Sequence, residues 1–431
     1  MSVYNLVSFC GIFILIGLAM LFSANRRRMN WRAILWGTVI QLLFALFVFR
    51  FPWGNRIFLV VNDGVIKVLD AASAGSRFVF GPLAQPVGEH SLGFILAFQA
   101  FPTIVFFSAL MSLLYFWGIM PLVIRSFAFL FTKVMRISGA ESLCAASNIF
   151  VGVESALVIK PHLAEMTASE LCTVLTAGMA TVASNVMAVY VFSLKAQFPA
   201  IAGHLISASI LSAPAAILMA KILMPEEGVP KTLGIAIHPR YEKEGSMFET
   251  IIRGANDGLK LVGGIVALLL AVLGLVAVLD MLLIWLGGKA NLAFGLGMDW
   301  SLRSLLGYVF YPLTVITGVP LSDAMPIARI IGERTVVTEV TSYQDLATAI
   351  AQGAISNPRL IIIATYALCG FAHVASVAIF VGGTAALAPS QTPVLARLGM
   401  RALFAATLAC LMTACVAGTF VTGQSILFSG R

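Results

Sequence analysis

Long apolar runs constrain this chain more than any other feature. A bilayer-spanning helix needs about 20 predominantly apolar residues. Eight segments reach that length: residues 4–23, 31–50, 92–117, 168–195, 201–224, 260–287, 358–382 and 397–424. Only 11% of the 431 residues are charged and 60% are hydrophobic, where soluble domains have roughly a quarter charged and about half apolar. An ordinary soluble domain and a disordered chain are both excluded. The expected fold class is an all-α integral membrane protein.

The charge pattern agrees. Lys and Arg number 27 against 19 Asp and Glu, a net charge of +8. These basic residues fall mostly between the apolar runs, as the positive-inside rule requires, and form no basic surface for nucleic acid. Arg26, Arg27, Arg28 and Arg32 follow the first run. A signal peptide carries its charge before its apolar core, so this run is expected to be a retained span. The loop after it is expected to be cytoplasmic, and eight spans then put both termini outside the cytoplasm. Counting spans also places the polar stretch 225–248, with Lys231, Arg240 and Lys243, in the cytoplasm. Residues 56–80 mix apolar and polar side chains in a helical rhythm and suit an interfacial helix.

Two further segments, 138–165 and 322–352, are long enough to enter the membrane but are interrupted. The first holds Gly139, Glu141, Asn148, Gly152, Glu154 and Pro161; the second holds Asp323, Pro326, Arg329, Gly332, Glu333, Arg334, Glu339 and Asp345. One acid at the bilayer centre costs about 2.5–3.5 kcal/mol on insertion scales. Non-helical backbone at that depth survives only where protein or a water-filled cavity covers it. Both segments are therefore expected to be re-entrant hairpins. Each precedes a pair of spans, and the single span 260–287 lies between the two units, so the second unit starts from the opposite side. That order predicts an inverted repeat, with a polar site near the midplane between broken helices.

The hairpin tips carry the candidate chemistry. Gly152 lets the backbone leave the helix, and Glu154 follows at a helix start, where its carboxylate can accept from a polar ligand; capping alone accounts for Ser155. Glu339 stands among Val336, Val337 and Val340, and either binds a ligand or pairs with Arg334. His373 and Ser376, three apart, share a helix face, and Phe371 beside them could stack on a flat ring. Thr181, Ser184 and Asn185 form a polar knot that could serve helix–helix hydrogen bonding or ion coordination. The six cysteines lie scattered in apolar stretches without CxxC spacing and read as buried small hydrophobes. Neither a GxxxxGK[ST] phosphate loop nor HExxH occurs, so ATP-driven pumping and metalloprotease chemistry are not supported. No enzyme and no cofactor are expected.

Four blocks of sequence resemble the concentrative nucleoside transporter family: Phe98 to Gly118, Ser138 to Gly152, Thr365 to Ala372 and Gly382 to Pro389. The resemblance implies eight transmembrane helices plus two re-entrant helical hairpins, assembled as a trimer, with a mobile unit moving like an elevator against a scaffold. The scaffold would comprise 1–118 and 260–287, the transport repeats 119–224 and 288–424, and a cytoplasmic loop with an amphipathic helix 225–259. It implies nucleoside contacts from Gly152, Glu154, Val186, Glu339, Phe371, His373 and Ser376, with Glu339 and Ser376 on the ribose. It also implies a sodium site from Asn148, Val151, Thr181 and Val182, all able to offer oxygen. The expected partners are a nucleoside, sodium or else a proton, and the lipid of a bacterial inner membrane. The chain departs from the family where Val153 precedes Glu154 without the usual Gln, where Thr338 replaces Asn, and where His373 replaces Asn. A related polar solute, or a receptor or channel, remains open from the residues alone.

Overall fold

The computed structural model describes residues 2–85, 92–152, 154–237, 239, 245–295 and 297–422. Among them there is no strand; the protein is built from helices. Arg240 and Lys243 of the polar stretch lie outside the described residues.

The first helices are α1 (Val3–Leu21), α2 (Trp31–Arg50) and α3 (Pro52–Phe80), followed by the short α4 (Leu96–Gln99) and α5 (Phe101–Phe116). Asn30 accepts from the Ala33 N–H at 3.1 Å and starts α2, and Pro52 sits in the first turn of α3, where a missing N–H costs nothing. The interfacial segment expected at 56–80 thus lies within one 29-residue helix.

The first repeat contains α6 (Ile119–Met135), α7 (Gly139–Asn148), α8 (Ser155–Val158), α9 (Lys160–Leu163), α10 (Ala168–Ala180), α11 (Ser184–Leu194) and α12 (Ile201–Leu223). A capping box starts α7, with Glu141 Oε1 accepting from the Ser138 N–H at 2.8 Å. Thr167 and Glu170 do the same for α10. The base of the hairpin is fixed by Lys221 of α12, whose Nζ lies 2.8 Å from Glu141 Oε2 and 3.0 Å from Ser169 Oγ in a buried site.

Between the repeats runs α13 (Met247–Phe294), 48 residues long, or about 70 Å at 1.5 Å per residue. The loop and amphipathic helix expected over 225–259 therefore do not end before the span. Residues 247–259 are the first turns of the same helix. Nothing there breaks it: Gly254 and Gly258 are spent on close packing against Val105, Ser108, Ala109 and Ser112 of α5. Beyond this contact, α13 exposes Leu270, Leu275, Val278, Met281 and Trp285, an apolar face with no protein of this chain against it.

The second repeat repeats the order: α14 (Leu302–Ile316), α15 (Ala324–Arg334), α16 (Glu339–Ala351), α17 (Pro358–Leu368), α18 (Val374–Leu387) and α19 (Thr392–Phe420). Two of the charges that made 322–352 unfit for lipid share one partner: Arg303 of α14 lies 3.1 Å from Glu333 and 3.2 Å from Asp345. Asp280 of α13 accepts from the Leu302 N–H at 2.6 Å at the start of α14. Among the described residues, seven helical stretches are long and apolar enough to cross a membrane, and α14, α17 and α18 are shorter apolar helices. Helices α10, α11, α12 and α19 are buried almost throughout and form the centre.

Candidate functional site

Two of the spans are broken at their middles. The α10–α11 span is extended at Thr181 (φ −107°, ψ 169°), and the α17–α18 span turns between Cys369 and His373. The breaks cross. Gly370 has φ +138°, and a Cβ there would stand 2.6 Å from the Ala180 carbonyl oxygen, so only glycine permits both the conformation and the approach. Each hairpin tip is hydrogen-bonded to the restart of a broken span. The Ser184 N–H donates to the Phe150 carbonyl at 3.0 Å, and the Val374 N–H to the Thr335 carbonyl at 2.9 Å.

A cavity of about 110 Å³ lies between the tips and the breaks. Gly152, Glu154, Val186, Glu339, Phe371, His373 and Ser376, the seven residues expected to contact substrate, all line it. Leu261, Ile265, Leu268 and Leu269 of α13 close one wall. Glu339 is the first residue of α16 and is buried, as is His373. Its Oε1 accepts from the Tyr190 hydroxyl at 2.7 Å, and its Oε2 lies 3.1 Å from His373 Nε2. Arg334 does not pair with it; that guanidinium donates instead to the Ala367 carbonyl at 2.7 Å.

His373 and Ser376 meet in a different way from the one their spacing suggests. The span is not continuous, and His373 is the N-cap of α18. Its Nδ1 accepts from the Ser376 N–H at 3.2 Å, and the Ser376 hydroxyl donates to the His373 carbonyl at 2.6 Å. With Nδ1 accepting, the ring proton belongs on Nε2, facing Glu339. Glu154 occupies the N-cap position of α8, yet its side chain makes no capping bond, which leaves the exposed carboxylate available at the cavity.

Of the four residues expected at a cation site, Asn148, Thr181 and Val182 are buried. Asn148 Oδ1 accepts from the Ser155 hydroxyl at 2.9 Å, and Thr181 Oγ1 donates to the Ala177 carbonyl at 2.8 Å. Among the described residues, nothing donates to the carbonyls of Val151 or Val182. No group of three or more His, Cys, Asp or Glu stands together among them either. The donor set here is neutral oxygen, which suits a hard monovalent cation.

Sequence reasoning overlooked Tyr190. It lies one helical turn beyond Val186, so the i, i+4 rule applied to that pocket position could have found it. Asn185 and Thr338 also line the cavity.

Two hairpins and two broken helices closing on one mostly apolar cavity that holds two carboxylates define a secondary transporter of the inverted-repeat class. Family models described as the N-terminus and C-terminus of Na+ dependent nucleoside transporters match residues 10–83 and 204–418, and one described as nucleoside recognition matches 97–197. The chain is 36% identical over 426 residues to the nucleoside permease NupC of Helicobacter pylori, covering 97% of this chain and 98% of that one. It is also 36% identical over 428 residues to mouse solute carrier family 28 member 3, covering 96% of this chain but spanning only 58% of the mouse protein. The solved structure of CNTnw in an inward-facing substrate-bound state superposes with a TM-score of 0.87 at 33% identity, covering 97% of this chain and 98% of that one. The chain belongs to the concentrative nucleoside transporter family, whose members are multi-pass membrane transporters and not enzymes.

Proposed function

We propose that this chain is a sodium-coupled nucleoside symporter of a bacterial inner membrane, with both termini outside the cytoplasm. The observation that carries the reading is the buried carboxylate of Glu339, at the mouth of a re-entrant tip, in one cavity with Glu154, Phe371 and Ser376. A ribose offers adjacent hydroxyls that donate to a carboxylate, and its base offers a flat face to Phe371. Such charge-assisted bonds are the strong ones. Gly152 and Val186 shape the wall, and His373 orients Glu339.

The coupling ion is assigned to Asn148, Thr181 and the carbonyls of Val151 and Val182. It would join the first hairpin to the α10–α11 break, linking ion occupancy to the shape of the nucleoside cavity. One monovalent cation moving down 100 mV supplies about 2.3 kcal/mol, roughly fiftyfold accumulation. The moving part is assigned to the repeats 119–224 and 288–424. They travel as an elevator against 1–118 and 260–287 in a homotrimer, and residues 225–259 stay on the cytoplasmic side.

Loss of the Gln that usually follows Gly152 favours a second reading, in which the same machinery carries a modified nucleoside or another polar solute. The deciding experiment is thermal stabilisation of the purified protein by a nucleoside panel, with sodium or choline. A ligand bound only by the folded state raises the melting point. Stabilisation by at least one nucleoside that requires sodium is expected. No response to any nucleoside would reject the substrate, and a response equal in choline would point to proton coupling.

A further inference from the structure

We infer that Arg334 is a tethered cation, standing in the second repeat where the coupling ion stands in the first; the comparison rests on the sodium reading above. Asn148 is the last residue of α7, and Arg334 is the last residue of α15, the corresponding helix of the second hairpin. The surroundings correspond as well. Just beyond Asn148, the Phe150 carbonyl takes the N–H of Ser184, the first residue of α11. Just beyond Arg334, the Thr335 carbonyl takes the N–H of Val374, the first residue of α18. The two side chains therefore approach the two breaks from corresponding helix ends, offset by one residue in the register of these bonds.

What they find there differs. At the end of α17 three carbonyls are taken by protein donors: Tyr343 Oη to Thr365 at 2.8 Å, Arg334 Nη1 to Ala367 at 2.7 Å and Cys410 Sγ to Cys369 at 3.1 Å, while among the described residues nothing donates to those of Gly370 and Ala372. At the first, the Val182 carbonyl has no donor among the described residues. Carbonyls at the end of a helix hold the negative end of its dipole, and α17 ends against the guanidinium as α10 ends against the proposed ion.

Arg334 is wholly buried. Among the described residues it has no carboxylate within ion-pairing distance, and its Nε and Nη2 have no acceptor. A buried guanidinium held by a carbonyl and a helix end, without a counter-ion, is a poor way to stabilise a fold. It is a sound way to supply a fixed positive charge to a break that otherwise needs a cation. The second break thus carries its positive charge on the protein itself, where the first would take it from an ion.

The test uses the full-length protein and two kinds of variant. In wild type, the sodium dependence of nucleoside-induced stabilisation should have a Hill slope of about 1, because one site is open. Arg334→Asn, which copies the first repeat, should raise the half-saturating sodium several-fold and move the slope toward about 2. Arg334→Ala should melt lower and recover with millimolar guanidinium but not with equal urea. This second arm does not involve sodium. Rescue of Arg334→Ala by guanidinium, beside a wild type that ignores sodium, would therefore sink only the sodium reading. An Arg334→Ala protein indifferent to guanidinium, or an Arg334→Asn slope unchanged from wild type, would overturn the inference. If neither variant can be purified, uptake in cells decides. Arg334→Lys should retain transport and Arg334→Met should lose it, and normal uptake by Arg334→Met would overturn the inference.

Discussion

The Tyr190 hydroxyl donates to Glu339 Oε1 at 2.7 Å. The phenol comes from α11 and the carboxylate from the start of α16, so this bond ties the broken span of one repeat to the hairpin tip of the other. It also fixes how Glu339 faces the cavity. Tyr190 stacks on Tyr343 of the same hairpin, with ring centroids 4.5 Å apart, so the phenol itself is held in place.

Glu339→Gln is expected to abolish nucleoside uptake while leaving membrane insertion intact. Bonds to a charged acceptor are worth about 1.5–3 kcal/mol and neutral ones about 1. Two ribose hydroxyls would together lose about 1–4 kcal/mol, roughly fivefold to several hundredfold in affinity by the 1.4 kcal/mol rule. Radiolabelled uptake, normalised to the amount of protein in the membrane, measures this. Normal uptake by the variant would remove Glu339 from the substrate site.

Tyr190→Phe tests orientation and not charge. The carboxylate stays, but its Oε1 loses a buried donor, which costs about 1–3 kcal/mol. The nucleoside KM should rise by about tenfold with the maximal rate nearly kept. An unchanged KM would mean that the α11 contact plays no part in aiming Glu339.

His373→Asn restores the residue usual in the family. Asn is also a good N-cap, so α18 should keep its start and the stability change should stay within about 1 kcal/mol. The ring 3.1 Å from Glu339 Oε2 is lost, and an amide with both donor and acceptor enters the cavity. The order of preference across a nucleoside competition panel should therefore change although the melting point hardly moves. An identical order in both proteins would show that His373 does not set selectivity.

How far these sites could be read from sequence depends on what each residue offers. The hairpins were legible because Glu141, Arg334 and Glu339 could not face lipid, and the structure buries all three. Cavity-lining residues near the tips followed from the same polar exceptions. The breaks in 168–195 and 358–382 were not legible, since no proline falls at Thr181–Ala183 or Cys369–His373 and the polar knot of Thr181, Ser184 and Asn185 is equally at home in helix–helix hydrogen bonding. Helices α6 and α14 were missed because they fall short of a span, at 17 and 15 residues. Tyr190 was hidden because an aromatic in an apolar run looks like core. Its spacing from Val186 places it near the pocket, and its partner 149 positions away gives its role.

Asn148→Ala should shift the sodium dependence. The amide oxygen that accepts from Ser155 is a proposed ion ligand, and its loss should raise half-saturating sodium by about tenfold, the equivalent of one good hydrogen-bond-strength contact. Uptake measured across a sodium series, with choline as the balance, gives the value. An unmoved sodium curve would place the ion elsewhere or favour proton coupling.

Lys221 and Glu141 make a stability prediction that is separate from transport. Their side chains are 2.8 Å apart and nearly inaccessible, 3% and 1% exposed. Taking the lysine away strands a carboxylate in the core, and breaking a buried pair from one side typically costs about 3–5 kcal/mol. Lys221→Met should therefore lower the melting point sharply. Glu141 also accepts the Ser138 N–H that starts α7, so Glu141→Gln alone, which keeps an acceptor there, should cost less. In the double variant the stranded charge is gone, and much of the Lys221→Met penalty should be recovered. A thermal double-mutant cycle on the substrate-free protein measures the coupling. Strict additivity of the two single effects would mean that the pair does not hold the hairpin base, leaving that task to the capping box alone.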